Sequence, residues 1–531
     1  MVDSATPPDE WKEKMSTTQV PDGTLTASIN PFLPATEYIP DGEPHVFGDR
    51  VYVYGSHDLA DGTAVMCAGD YVCYSAALTD LARWRYEGVI FRRDQDPFAR
   101  MMTARGGDRM GMKSHLFAPD VVEIDGKYYL YYGIGLSESG IAMAVGDSPI
   151  GPFEYVGRVR YPESEKPSGW SDGKDGLADG DMAFFGGRAA ISRRGVRFKE
   201  YPYDPSLLLH DGRLFLYFGL LNCYVVELDL RDKRTVLKNE SGGYATQVVR
   251  ARPLKLASDL LRKSRVDAHF VNGPSIREID GRFVLSYYAL GSGGFNGMYY
   301  AIADAPQGSF TPMGPLVSLG NARFHGQLAP TDHTGNIHGG MFSVDGQWYQ
   351  IYHRQTKAGR SACVAPLTRT ADGGFEQAEH TSMGFSAHPL DAFCRWPAYM
   401  ACHLTNSRGV SGKNSPIIDH RAYGAEGEFP VVSRLRAGDV IGYKYFDFGD
   451  SVAGSHVSLE VNPASRGRVD VRLDDPFRGP VVAVVDVDGR IGEPGLFSAT
   501  MKAIGGVHAV YLVARPEGED LGDLSYLAFG R

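Results

Sequence analysis

An Asp-Gly pair set between two short runs rich in Tyr, Phe and Val recurs along this chain. Nothing else in the sequence narrows the fold as much. The fullest copy is Phe270-Val-Asn-Gly-Pro-Ser-Ile-Arg-Glu-Ile-Asp-Gly-Arg-Phe-Val-Leu-Ser-Tyr-Tyr288. The same shape reads at Phe117-Ala-Pro-Asp-Val-Val-Glu-Ile-Asp-Gly-Lys-Tyr-Tyr-Leu-Tyr-Tyr132 and at Tyr203-Asp-Pro-Ser-Leu-Leu-Leu-His-Asp-Gly-Arg-Leu-Phe-Leu-Tyr217. Looser copies run from Pro40 to Tyr54, with Gly48-Asp49 at the turn, and from Gly335 to Tyr349, with Asp345-Gly346. Asp-Gly suits a two-residue hairpin because both turn positions need positive φ, and aromatic and β-branched runs favour strands. Each copy is therefore a hairpin whose first strand starts near a polar residue: Asp41, Asp120, Asp204, Asn272 and His338.

Five hairpin units in series predict an all-β chain whose first domain is a five-bladed β-propeller, since radial repetition leaves only short protected edges. The innermost strands of a propeller run the same way along the central channel, so the five lead residues converge on one mouth. A second matched pair supports the repeat: Ala144-Val-Gly-Asp-Ser-Pro-Ile-Gly-Pro-Phe153 and Ala301-Ile-Ala-Asp-Ala-Pro-Gln-Gly-Ser-Phe310. Insertions at 92–113, 161–200 and 320–335 are expected to shape the rim. After about residue 400 the pattern becomes short alternating strands such as Val457-Ser-Leu-Glu-Val461 and Val469-Asp-Val-Arg-Leu473. Turns between them at short intervals predict a β-sandwich. The expected organisation is a leader over 1–29, the propeller over 30–405 and the sandwich over 415–531.

Composition sets the partners. A net charge of −10 over 531 residues argues against nucleic acid or an anionic membrane surface as the main partner. The N-terminus lacks the apolar run of a secretory signal, which leads to the expectation of a cytoplasmic protein. The six cysteines have no metal-like spacing and read as reduced, buried thiols.

Carboxylates converging on one mouth suit glycosidic-bond hydrolysis. An inverting glycosidase needs a base for the attacking water and an acid for the leaving oxygen, roughly 6.5–9.5 Å apart. A third carboxylate near the acid holds its proton on. Tyr38-Ile-Pro-Asp41, Ala118-Pro-Asp120, Asp204-Pro-Ser206, Gly273-Pro-Ser-Ile276 and Asn336-Ile-His338 resemble, in that order, the motifs of glycoside hydrolase family 43. The resemblance covers about residues 30–400. It implies arabinofuranosidase or xylosidase chemistry on an oligosaccharide substrate, with Asp41 as general base and Asp120 tuning the acid. It also implies that His338 lies at a central calcium ion. Asp204, Arg354 and His57 are expected to contact the sugar.

One position departs from that pattern. The family carries Glu-Gly-Pro with the glutamic acid as proton donor, and here the stretch is Asn272-Gly-Pro274. An amide does not donate a proton at a useful rate. Either Asn272 replaces an original Glu or the acid is naturally lost, with Asp267, His269 and Glu43 the nearby alternatives. The competing expectation is a catalytically inactive carbohydrate-binding protein. The C-terminal stretch, through Gly442-Tyr-Lys-Tyr-Phe-Asp-Phe-Gly449 and Gly467-Arg-Val-Asp-Val-Arg-Leu-Asp474, resembles a family 6 carbohydrate-binding module.

Overall fold

The structure is a computed structural model. It describes residues 28–60, 66–104, 112, 114–135, 140–162, 190–192, 195–197, 202–249, 268–291, 295–327, 329–406, 416–422, 428–451 and 454–531. Most of the leader, most of the 161–200 insertion, Asp267 and the side chain of His269 lie outside the described residues.

Five antiparallel sheets follow one another in chain order. Blade 1 spans Glu43–Phe47 to Asp80–Phe91, blade 2 Leu116–Ile124 to Glu154–Arg158, and blade 3 Ser206–His210 to Thr246–Val249. Blade 4 spans Ala268–Ile279 to Thr311–Ser318. These four have four strands each, and blade 5, from Met341–Val344 to Arg360–Leu367, has three. The Asp-Gly turns form as expected: Asp125 and Gly126 have φ of 54° and 73°, and Asp211 and Gly212 have 48° and 69°.

First strands of neighbouring blades pack on one another around the ring. Blades 4 and 5 are tied by Arg277, whose Nε donates to the Met341 carbonyl at 2.8 Å. Five apolar wedges fill the gaps between blades. Tyr54 and Leu130 belong to the wedge of blades 1 and 2, and Leu207 and Tyr131 to that of blades 2 and 3. Phe215 and Leu285 join blades 3 and 4, Val284 and Met341 join 4 and 5, and Val53 and Ile351 close 5 onto 1. The hydroxyls of these buried tyrosines need partners. Tyr54 donates to the Pro149 carbonyl at 2.7 Å and Tyr217 to the Pro306 carbonyl at 2.6 Å. Both prolines sit in the matched Asp-x-Pro-x-Gly segments, so that motif is the socket for the preceding blade's tyrosine.

The edge of blade 5 is covered by the chain's start. Asn30 Nδ2 donates to the Val364 carbonyl at 2.8 Å, and its Oδ1 accepts from the Val364 amide at 2.9 Å. The C-terminal part is a sandwich of two six-stranded sheets. One contains Val440–Asp447, Val507–Pro516, Gly467–Leu473 and Val481–Val487. The other contains Ile417–Ala422, Glu428–Ser433, Gly522–Gly530, His456–Pro463 and Gly495–Thr500. The sandwich starts earlier than the expected 405–415 boundary. Leu390–Asp391 and His403–Thr405 pair with Val440–Asp447, and Arg395–Pro397 pairs with Gly522–Gly530. These strands are too short to show an alternating pattern in sequence. Among the described residues no helix is long and apolar enough to cross a membrane, and all six cysteines are unpaired.

Candidate active site

Asp41 and Asp204 each stand two residues ahead of their blade's first strand, and both are held at positive φ, 60° and 50°. A non-glycine residue is held there only when its surroundings dictate it, and such strain gathers at functional sites. Asn272 and Asp120 instead lie within their first strands, next to register irregularities.

Asp41 is buried. Its Oδ2 accepts from Ser56 Oγ at 2.7 Å, and its two oxygens lie 3.2 and 3.3 Å from Arg360 Nη1. His338 Nδ1 and His353 Nδ1 are 3.6 and 3.4 Å from Oδ1. Burial alone would push this carboxyl up, but Arg360 and then His338 outweigh it and hold it well below the usual carboxylate range. Asp41 is therefore an ionised acceptor at neutral pH. Arg360 is itself fixed by Asp58, which receives Nε and Nη2 at 2.8 Å each. His353 accepts the Asp41 amide at Nδ1, 3.2 Å away, and its Nε2 lies 3.0 Å from the Asn336 carbonyl. Burial pushes it down to about 3, so it stays a neutral ring.

Opposite stands a second group. Asn272 Nδ2 donates to Asp204 Oδ2 at 2.7 Å. Burial pushes the Asp204 carboxyl up to about 7, with the Asp41 charge adding to the rise and His338 and Asn272 opposing it. Asn272 Oδ1 is buried with no partner among the described residues. Gly273 joins the two halves. At φ +66° it presses on His338, and a Cβ there would come within 2.5 Å of the imidazole. No other residue type allows Asn272 and His338 to approach this way.

Several expected placements are corrected. Asp120 does not touch position 272. Its Oδ1 meets His45 Nε2 at 2.5 Å and the Val121 amide at 2.6 Å, and its Oδ2 accepts the Leu207 amide at 2.6 Å. It is a fully engaged carboxylate that ties three inner strands together, and Asp204 is the carboxylate beside Asn272. The reason is depth. Asp41, Asp204 and His338 each lie seven residues before the first residue of their hairpin turn, whereas Asp120 lies five before Asp125. Two residues of strand place it about 6–7 Å further down the channel on the same face. Arg354 is not at the mouth either. It is buried against Asp332, with Nη2 at 2.7 Å from Oδ2. His57 turns to the Asp70 carbonyl at 3.0 Å and to Glu37 at 3.6 Å, and the neighbouring Ser56 is the residue that reaches Asp41. Arg360, Ser56 and His353 are the contributors that the repeat pattern did not reveal.

A cation site was expected near His338. Among the described residues, the side chains that could gather around an ion are Glu43, His45 and Asp120, whose ligand atoms lie within 4.8 Å of one another. Three of their four carboxylate oxygens are already engaged: both of Asp120, as above, and Glu43 Oε1, which accepts from Ser275 Oγ at 2.9 Å and from Arg277 Nη2 at 2.6 Å. Calcium takes six to eight oxygen ligands. A trio with one imidazole, three engaged carboxylate oxygens and a guanidinium against Glu43 does not fit it.

Ionised Asp41 facing protonatable Asp204 across a channel mouth is a pairing for acid–base chemistry at a bond between them. No family model matches the chain. Among curated proteins, it is 32% identical over 510 residues to a xylosidase/arabinosidase of Thermoclostridium stercorarium, covering 92% of this chain and 96% of that protein. It is 25% identical over 519 residues to an arabinoxylan arabinofuranohydrolase of Bacillus subtilis (strain 168), covering 88% of this chain and 85% of that one. An arabinoxylan arabinofuranohydrolase of Paenibacillus polymyxa is 24% identical over 526 residues, covering 89% and 70%. With a relative that close matched along nearly its whole length, and with the five lead motifs mounted on a five-bladed propeller, the chain is a glycosidase and belongs to glycoside hydrolase family 43.

Proposed function

We propose that the protein is an inverting, exo-acting glycosidase that removes α-L-arabinofuranosyl or β-xylosyl residues from plant-type oligosaccharides. The observation that carries this reading is Asp41, a buried carboxylate kept ionised by Arg360 and His338 at the mouth of the channel. It takes a proton from water as that water attacks the anomeric carbon. Asp41 and Asp204 enter from blades 1 and 3, which are not adjacent, and this supports an arrangement with room for a sugar and a water between them. The names of the relatives support the sugar class, and the name of the full-length relative, xylosidase/arabinosidase, supports release of single residues.

The test is turnover of aryl α-L-arabinofuranoside and aryl β-xyloside, followed by proton NMR of the first-formed product. Inverted anomeric configuration is expected, and retained configuration would sink the assignment of Asp41 as base. A second reading rests on Asn272, which has no proton to give: a carbohydrate-binding protein without turnover. It requires calorimetric binding of the same sugars with no product at any enzyme concentration.

A further inference from the structure

Replacement of the family's glutamic acid by Asn272 leaves the leaving-group proton without an obvious source. Among the described residues, the carboxyls around the channel other than Asp204 already hold charged or backbone partners. Asp41 is matched to Arg360. Asp58 receives Arg360 through two nitrogens and also accepts the Cys67 amide at 2.7 Å. Glu43 holds Arg277, and Asp120 is spent on His45 and two backbone amides. Asp204 differs. Among the described residues its only direct side-chain partner is the neutral amide of Asn272, bound to Oδ2, and nothing bonds Oδ1. Its strained backbone and burial fix it in place.

We propose that Asp204 delivers the proton to the departing glycosidic oxygen, with Asn272 as the positioning residue that fixes its carboxyl through Oδ2 and leaves Oδ1 toward the substrate. This rests on the glycosidase reading. In the step, the Asp204 proton moves to the glycosidic oxygen as the bond from that oxygen to the anomeric carbon breaks. Water forms the new bond to that carbon and gives its own proton to Asp41. Asp204 ends ionised and Asp41 protonated, and exchange with solvent resets both. The charged and titratable groups facing Asp204 are His338, Asp41 and Arg360, with the Tyr71 and Tyr203 hydroxyls beside it. Burial and the Asp41 charge keep it protonated up to about pH 7.

The test compares two leaving groups in the full chain. A methyl glycoside needs the proton, and a 2,4-dinitrophenyl glycoside hardly does. Asp204→Asn is expected to lower kcat on the methyl glycoside about 10³-fold and on the dinitrophenyl glycoside no more than about tenfold. In the wild type, kcat/KM on the methyl glycoside should fall as pH rises through about 7, with that limb absent for the dinitrophenyl substrate. Equal losses on both substrates would mean that Asp204 only supports the site, and no loss on the methyl glycoside would place the donor elsewhere. Either result overturns the proposal. Asp204→Glu, which keeps an acid, should recover part of the methyl glycoside rate and narrow the gap between the two substrates; a rate no better than that of Asp204→Asn would count against the proposal. If the wild type turns over neither substrate, the glycosidase reading itself fails and the proton assignment falls with it.

Discussion

Two buried clusters of Asp, Arg and His use neighbouring residues of one strand of blade 5, yet they do different things. At the channel mouth Asp41 is flanked by Arg360, His338 and His353. Behind blade 5, Asp332 is flanked by Arg354 at 2.7 Å and His380 at 3.2 Å, and Tyr352 and His380 Nδ1 are 2.6 Å apart. His353 and Arg354 are consecutive on Gln347–Gln355, so strand alternation sends one to each cluster. The second cluster is closed by protein. Arg354 Nη1 reaches the Ala401 carbonyl, the His333 amide donates to Asp332 at 2.8 Å, and His333 Nε2 lies 3.1 Å from the Pro416 carbonyl. Ala401 and Pro416 belong to the sandwich side, so this cluster fastens the sandwich to the propeller. Both aspartates are driven well below the usual range by their cations against the opposing effect of burial. A buried ion cluster therefore does not by itself mark a site. Backbone strain at the aspartate and a second, uncompensated carboxylate facing it distinguish the mouth.

The strongest challenge to that distinction is a matched pair of substitutions. Arg360→Met should lower kcat at least about 10³-fold, because it strips Asp41 of its main counter-charge and releases Asp58. Arg354→Met should leave kcat/KM per folded molecule within about twofold. It should instead cost about 3–5 kcal/mol of stability by leaving Asp332 buried and unpaired. Urea titration and steady-state kinetics on both variants decide the matter. A large kinetic loss in Arg354→Met with normal stability would erase the contrast.

The next effect bears on position 272. Asn272→Glu should raise turnover of alkyl glycosides by about 10²-fold, since it puts a second acid 2.7 Å from Asp204 in place of an amide. It should also make a further Asp204→Asn change much less harmful, because the new acid takes over donation. A full double-mutant cycle measures that coupling. Additive losses would show that the two positions act independently.

Stability against pH separates the regions more gently. Asp41 and Asp332 have depressed folded values, so the stability they contribute is present above pH about 4 and is lost as pH falls below it. Asp204 has the opposite sign. Its folded value is raised from 3.8 to about 7, so the folded state is favoured at low pH and penalised as pH rises through that interval. The full penalty is on the order of 4 kcal/mol at pH 8. Asp204→Asn should therefore move the urea midpoint upward at pH 8 and hardly at pH 4. A variant destabilised equally at both would contradict the burial of a protonated carboxyl there.

The sequence made the ring, the turns and Asp41 readable because the hairpin unit repeats with its polar residue in front. Motif order alone does not carry depth along the channel. Pro119 precedes Asp120 while Pro205 follows Asp204, and the distances to the turn are five residues against seven. That offset was present in the sequence, and it places Ala118, not Asp120, level with Asp41. Arg360 was less accessible, because it sits on the third strand of blade 5, where no repeat points to it. Arg354 and His353 differ by a single residue, and only the register of the sheet decides which of them faces the mouth. The early strands of the sandwich, two or three residues each, are too short to carry a period.

The smallest expected effect concerns a third cluster, deeper in the channel than Asp41. Glu43, His45 and Asp120 come together as ion ligands would, but the Arg277 guanidinium lies 2.6 Å from Glu43 and also donates from Nη2 to the Pro44 carbonyl at 2.8 Å. A fixed positive charge already neutralises the carboxylate, and a divalent ion beside it would meet repulsion. Treatment with a chelator, then addition of millimolar calcium, should leave both the melting temperature and kcat unchanged within about 1 °C and about 20%. Arg277→Gln removes that charge and leaves the three ligands facing one another. In that variant calcium should raise the melting temperature by several degrees, since an ion bound only to the folded state stabilises it. A calcium-dependent melting temperature in the unaltered protein would show that the guanidinium does not fill this role, and that the Glu43 cluster, unlike the closed cluster at Asp332, is open to a ligand.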